Sequence, residues 1–454
     1  MLRHRTSWRI KRLSSHRVQG SLAWVNHMKR KLSRLLAAWS VSIVGLSVCA
    51  RAEWSQYRGN DGDGISRDTI AKPWSGEGLK KVWNAKTAAG FSSMAVADGK
   101  VFTVVARDMD GKLAEVCLAL DAATGKELWA EVTGQAKYRG GGDSGAEGNS
   151  GGDGPRSTPA FSDKRVYVYS AQMVLSCLDA ETGKNLWRKD IARDFNGKNI
   201  GWESAMSPVV DQKLVYVAGG GADQSMLAFD KGTGAVVWKT GDEQMTHATP
   251  AVATIHGVRQ VIFLMQSGLV SLDTSNGKTL WKFPFKYQTA TGCSPVVSDD
   301  IIFCTAGYDI GGAACQIIRN GDSFEAKELW RIKGNAVVAD LWSTPVCKDG
   351  YLYGMISFKK FGSGPLKCVD LKTGAVKWEQ PGFGAGNVVL AGPNLIALSD
   401  DGQVVLVEAN PAGYKELART KAVNGKCWST PALSNGKLYV RSTKEGVCLD
   451  LAAK

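Results

Sequence analysis

The chain has 454 residues, a formal net charge of +13, 44% hydrophobic and 22% charged residues. Eleven of its Lys and Arg residues, and no acid, lie in residues 1–52, so the chain from Glu53 onward carries only about +2. The high isoelectric point therefore gives no ground for a nucleic-acid partner.

In chain order, Met28-Lys-Arg-Lys-Leu-Ser-Arg34 is a basic segment. It is followed by the apolar run Leu35–Ala50 and by Ala50-Arg-Ala52. The run is short for a membrane span, and small residues close it, as in a secretory signal peptide. Residues 1–52 are accordingly expected to be removed, with a true start at Met28. The product is expected to be exported to the periplasm or cell envelope, or secreted, with no membrane span after cleavage. Val48 disfavours a lipid anchor on Cys49.

Residues 53–78 form a leader opening with Trp54-Ser-Gln-Tyr-Arg-Gly59. Asp61 and Asp63 flank Gly62, but a calcium loop needs more oxygen ligands and a closing Glu. A tight turn is expected. Trp54 lies outside any repeat, so its truncation is expected to cost less than that of a repeat Trp.

From residue 79 the chain is repetitive. LDAATGKELW (120–129) returns at 178–187, 229–238, 272–281 and 369–378, each time with Asp eight residues before Trp. Asp322 and Trp330 keep that spacing with a blurred turn. Asp bonds the turn backbone and Gly accepts positive φ, which marks a hairpin. Ahead of each copy stands a Ser/Thr-Pro strand unit, as at Ser157–Tyr169 and Ser429–Val440. Eight such units begin near 92, 157, 206, 248, 293, 343, 387 and 429. Two hairpins per period of about fifty residues predict an all-β, eight-bladed propeller of four-stranded antiparallel blades over 79–454. The eighth blade stops before its outer strand, while Leu79-Lys-Lys-Val-Trp83 is an unpartnered outer strand. Closure by the N-terminal strand follows, because a free sheet edge invites aggregation.

Arg139–Gly154 is Gly-rich and is expected to be a long loop between the first two blades. Of ten cysteines, nine follow the signal segment. Cys177, Cys368 and Cys448 share one repeat position and read as small core residues. No two Cys are adjacent and only His247 and His256 follow residue 52, so zinc and nucleophilic motifs are missing. The side chains just before each inner strand are expected to converge at a funnel mouth: Arg156, Glu203, His247, Asp340, Trp342, Asn387, Lys426 and Trp428.

These motifs resemble the PQQ-like β-propeller repeat family, shaped like the quinoprotein alcohol dehydrogenases, over about residues 79–451. The resemblance implies that Trp83, Trp129, Trp187, Trp238, Trp281, Trp330 and Trp378 dock against neighbouring blades. Members that are dehydrogenases hold a quinone on a calcium ion against a vicinal disulfide, which this sequence lacks. The expected function is an exported, non-catalytic binding or assembly scaffold. It would be monomeric, with no catalytic or metal residues and no cofactor, and its partner would be a protein or peptide of the cell envelope. Among members of this kind is the propeller subunit of the outer-membrane barrel-assembly machinery. The alternative is a dehydrogenase of alcohols or sugars that uses the quinone PQQ and calcium.

Overall fold

The computed structural model describes residues 53–70, 74, 78–138, 154–287, 291–358 and 361–452. The segment expected to be a signal peptide and nearly all of the Gly-rich loop lie outside these residues. Eight sheets follow one another around the ring, each built on a four-stranded antiparallel blade. Blade 3 shows the construction. Its strands are Val209–Asp211, Leu214–Ala218, Met226–Asp230 and Val236–Thr240. The two middle strands are apolar on both faces and buried, while the outermost exposes Val236 and Val237. Strands sandwiched between neighbouring blades lose the polar alternation of a half-solvated sheet.

The hairpin motif has a direct structural cause. Asp230 Oδ1 accepts hydrogen bonds from the N–H of Gly232 and Thr233 and from the Thr233 hydroxyl, at 3.0, 2.8 and 2.9 Å. Gly234 then turns with φ +70, and a Cβ there would meet the Trp187 ring of blade 2 at 2.7 Å. Glycine is required twice, for the left-handed backbone and to seat the indole of the preceding blade.

A register shift stands just ahead of the Trp position in every blade, including blade 7, where Ala418 holds that position. Such bulges re-aim a side chain. The residue paired with the Trp is always small: Ala119, Cys177, Ala228, Ser271, Ala314, Cys368 or Cys448. In blade 7 the sizes are exchanged, and Ala418 faces Leu406. The leucine makes up part of the volume of the missing indole, as a close-packed interior requires. All nine described cysteines are unbridged.

The ring closes where Lys80–Lys86 pairs antiparallel with Glu445–Asp450, Trp83 opposite Cys448. Arg441, fully buried in blade 8, donates to Thr103 Oγ1 and Val104 O of blade 1 at 2.8 and 3.1 Å. Near the axis the Ser/Thr of the Ser/Thr-Pro units bonds one blade to the next. The N–H groups of Thr430, Ser93, Thr158, Ser207 and Ser294 donate to hydroxyls of Ser93, Thr158, Ser207, Thr249 and Thr344, at 2.8–3.0 Å. Each bond crosses a blade junction and satisfies a buried backbone donor.

Candidate binding site at the mouth

Six of the seven repeat indoles donate Nε1–H to a carbonyl of the following blade. Trp83, Trp129, Trp187, Trp238, Trp330 and Trp378 reach Ala122, Ala180, Lys231, Thr274, Leu371 and Asn410 at 2.8–3.2 Å. Trp281 is buried in one apolar cluster with blade 5 residues such as Ile302 and Cys304, and differs only in its acceptor. Its Nε1 donates to Gln260 Oε1 of its own blade at 2.8 Å. The leader departs from expectation, because Trp54 is only 2% exposed and belongs to the core.

The eight residues expected at the mouth separate into two sectors. In the first, Trp342 and Trp428 meet with ring centroids 4.7 Å apart, although they precede blades 6 and 8. Blade 7, which stands between them, opens with Gly384-Ala385-Gly386. A Cβ on Gly386 would stand 1.9 Å from the Leu398 carbonyl oxygen. Trp342 Nε1 donates to Ala385 O at 3.3 Å, and Asn387 Nδ2 donates to Trp428 O at 2.8 Å. Phe361 stacks on Trp428 at 5.2 Å and Phe91 stacks on its other side at 4.7 Å. Lys426 Nζ lies 4.7 Å from the Trp428 ring centroid. The result is a four-ring platform carrying an ammonium, with Phe361 49% exposed. Phe361 and Phe91 escaped the repeat reading. So did Asp400, whose Oδ2 accepts the N–H of Gly362 and Ala385 at 2.7 and 3.0 Å and so fixes the Phe361 loop to blade 7.

The second sector is polar. Arg156 Nη1 donates to Trp202 O at 2.5 Å, and its guanidinium lies 5.4 Å from the Tyr138 ring centroid. Tyr138 donates its hydroxyl to Glu115 Oε1 at 2.8 Å, and Ala171 N–H donates to Oε2 at 3.0 Å. Burial pushes the Glu115 carboxyl up to about 7, against the lowering effect of those bonds and of the Arg156 charge. Half-buried His247 is pushed down to about 3 by desolvation and by Arg156, so its ring is neutral at pH 7.

Three of the eight residues are interior rather than rim. Glu203, held at φ +60, accepts from Asn199 Nδ2 at 2.5 Å. Asn387 is fully buried. Asp340 Oδ1 accepts the N–H groups of Leu341, Trp342 and Ser343 at 2.6, 3.3 and 3.3 Å, while Oδ2 has no hydrogen-bond partner. Desolvation holds the Asp340 carboxyl well above the usual carboxylate range. Glu203 and Asp340 stand in separate loops, each tied by hydrogen bonds to groups of its own loop. Among the described residues, no three His, Cys, Asp or Glu are grouped so as to hold a metal ion.

The family model described as outer membrane protein assembly factor BamB matches residues 112–380, more than half of the chain. The chain belongs to this PQQ-like propeller family. BamB of Yersinia pestis is 23% identical over 59% of this chain and 69% of its own length. The quinohemoprotein alcohol dehydrogenase of Comamonas testosteroni is 25% identical over 76% of this chain, which spans only 46% of that enzyme. The crystal structure of that dehydrogenase matches with TM-score 0.61 and 14% identity, over 89% of this chain and 81% of the other. The computationally designed Ika8 protein matches with TM-score 0.54 and 13% identity, over 82% of this chain and all of Ika8. The dehydrogenase thus shares the propeller fold with this chain, and BamB is related to the chain by sequence. No helix among the described residues is long and apolar enough to cross a membrane.

Proposed function

We propose that the protein is an exported, non-catalytic scaffold of the cell envelope that takes a protein or peptide partner at its mouth. The carrying observation is the platform of Phe91, Trp428, Trp342 and Phe361 beside Lys426. Phe361 is exposed and the two tryptophans are half-buried, and partly exposed aromatic rings are what protein interfaces use as anchors. An aromatic pair adds about 0.5–1.5 kcal/mol beyond its buried area, and an exposed cation–π contact about 0.5–1 kcal/mol. The BamB relatives, named as assembly factors, support a scaffold role. Quinone chemistry needs carboxylates grouped to hold the cation, and among the described residues no three His, Cys, Asp or Glu are so grouped.

The test is photocrosslinking in cells from a reactive amino acid at position 361, with the captured species identified by mass spectrometry. An envelope protein or peptide should be captured. Lys426→Ala should weaken capture with the melting temperature nearly unchanged, and Trp428→Ala should abolish it in a protein that still folds. Purified protein given quinone and Ca²⁺ should oxidise no alcohol or sugar. Quinone-dependent turnover lost in Glu203→Gln would overturn this reading in favour of a dehydrogenase.

A further inference from the structure

The segment 54–68 serves no part of the mouth, yet it bonds to the inner strands of six blades. Trp54 exchanges both backbone hydrogen bonds with Val96 of blade 1, at 2.9 and 2.8 Å. Ser55 O accepts from Phe161 N of blade 2 at 2.7 Å, and Gln56 Oε1 accepts from Val210 N of blade 3 at 3.0 Å. Arg58 donates to Thr344 O and Pro345 O of blade 6 at 2.6 and 2.8 Å. Ile65–Ser66 then runs parallel to Asn387–Ala391 of blade 7. Asp68 Oδ2 accepts from Gly436 N of blade 8 at 2.9 Å. Most of these contacts fall where the first strand of a blade approaches its turn into the second; Arg58 alone extends along the axis to the Thr344-Pro345 end of blade 6.

Two side chains anchor the segment. Trp54 and Arg58 are each 2% exposed. Arg58 sits at φ +63, and Gly59 follows at +86, where a Cβ would press on the Trp54 ring at 3.1 Å. The Arg58 guanidinium also donates to Asp63 O at 2.7 Å and Gly62 O at 3.3 Å. A guanidinium buried among carbonyls is tolerated only when its donors are filled, and here two of the acceptors belong to a distant blade. The inner edges of a propeller otherwise present unpaired backbone groups, the usual template for an added strand.

We propose that these inner edges form a peptide-binding socket, occupied in cis by residues 54–68, that closes the axis at the end opposite the mouth. The socket reads a Trp and, four residues on, an Arg, and it leaves the mouth as the open approach to the axis.

The full chain carrying a protease site in place of Ser75-Gly76-Glu77, cut after folding, tests this. The leader peptide should co-elute with the ring on gel filtration and leave only in denaturant. In Arg58→Ala it should dissociate, and a synthetic 53–70 peptide should rebind the emptied ring where an R58A peptide does not. A wild-type leader that separates from a folded ring of unchanged melting temperature would overturn the proposal. A second reading uses the uncut chain. Cys293 is fully buried and feels the Arg58 charge. Its labelling by a small thiol reagent should rise roughly tenfold or more in Arg58→Ala, as local opening predicts, with Cys448 unchanged. No acceleration at Cys293, or equal acceleration at both thiols, would count against a separable socket.

Discussion

The junction between blades 3 and 4 and the junction between blades 4 and 5 begin from the same sequence element and end differently. Trp238 of blade 3 crosses to Thr274 O of blade 4 at 2.9 Å, its indole lying on Gly277, and Tyr216 packs on it at 5.8 Å. Trp281 of blade 4 sits at the same repeat position, yet it turns back to Gln260, which also accepts the Ser271 hydroxyl at 2.7 Å. The cause lies in blade 5. Its ten-residue strands Gly311–Asn320 and Ser323–Ile332 join through a tight turn at Gly321-Asp322. No Thr-Gly shelf is presented to Trp281, and the Asp322–Trp330 spacing marks a different turn. Arginines clasp this junction instead. Arg331 donates to Pro284 O at 2.8 Å and lies over Phe283 and Phe285 at 5.2 and 5.4 Å. Arg319 donates to His256 O at 2.8 Å. The lesson is that the motif supplies a donor and the next blade decides whether an acceptor exists.

The largest effect should come from Trp238→Ala, at about 3–5 kcal/mol for a truncated buried indole, read by denaturant unfolding. A loss below about 1 kcal/mol would break the claim that the indole joins the blades. Gly277→Ala should come next. The left-handed backbone costs an Ala about 1–2 kcal/mol, and displacing the Trp238 ring adds about 1–3 kcal/mol. Gly321→Ala, with φ +62 and nothing near its would-be Cβ, should lose only the backbone share. A double-mutant cycle sharpens the contrast. Trp238→Ala with Gly277→Ala should be strongly non-additive, whereas Trp281→Ala with Gly321→Ala should add to within about 0.5 kcal/mol. Equal coupling in both cycles would erase the distinction between the junctions. Arg331→Met removes a carbonyl bond, two ring contacts and a partly exposed ion pair with Glu328, together roughly 1.5–3.5 kcal/mol. It should destabilise the 4/5 junction without altering the seat of Trp238, which hydrogen exchange at the two hairpins would separate.

The fold was largely legible because its signals are local. The Asp-x-x-Thr-Gly turn satisfies its own backbone within a few residues, and the Trp follows at fixed spacing, so blade number and boundaries stand in the sequence. The unpartnered Leu79–Trp83 also pointed to its missing blade. The site was only half legible. Trp342, Lys426 and Trp428 could be placed before their strands by repeat register, but their clustering spans blades 6 and 8 and is tied to blade 7 by Trp342 donating to Ala385 O. Phe361 comes from a loop between the second and third strands of blade 6, where no repeat signature exists. Glu203 and Asp340 carry the same register as the rim residues, yet their own loops fold back to cap backbone N–H or meet Asn199, and this draws them inside. Trp54 and Arg58 were placed in a peripheral leader, since nothing in a short aromatic segment announces that six strand edges await it.

The sequence by itself determined the number of blades, their order and the strand that closes them, because each rests on hydrogen bonds between residues close along the chain or on a hydrophobic pattern of fixed period. The tertiary structure decided which indole finds a carbonyl in the next blade, which rings meet across blade 7, and where the leader goes. Those pairings join groups tens to hundreds of residues apart, as Arg58 does with Thr344. They exist only once ring closure has met the cost of bringing distant segments together, and no local pattern of residues records which distant partner will then be near.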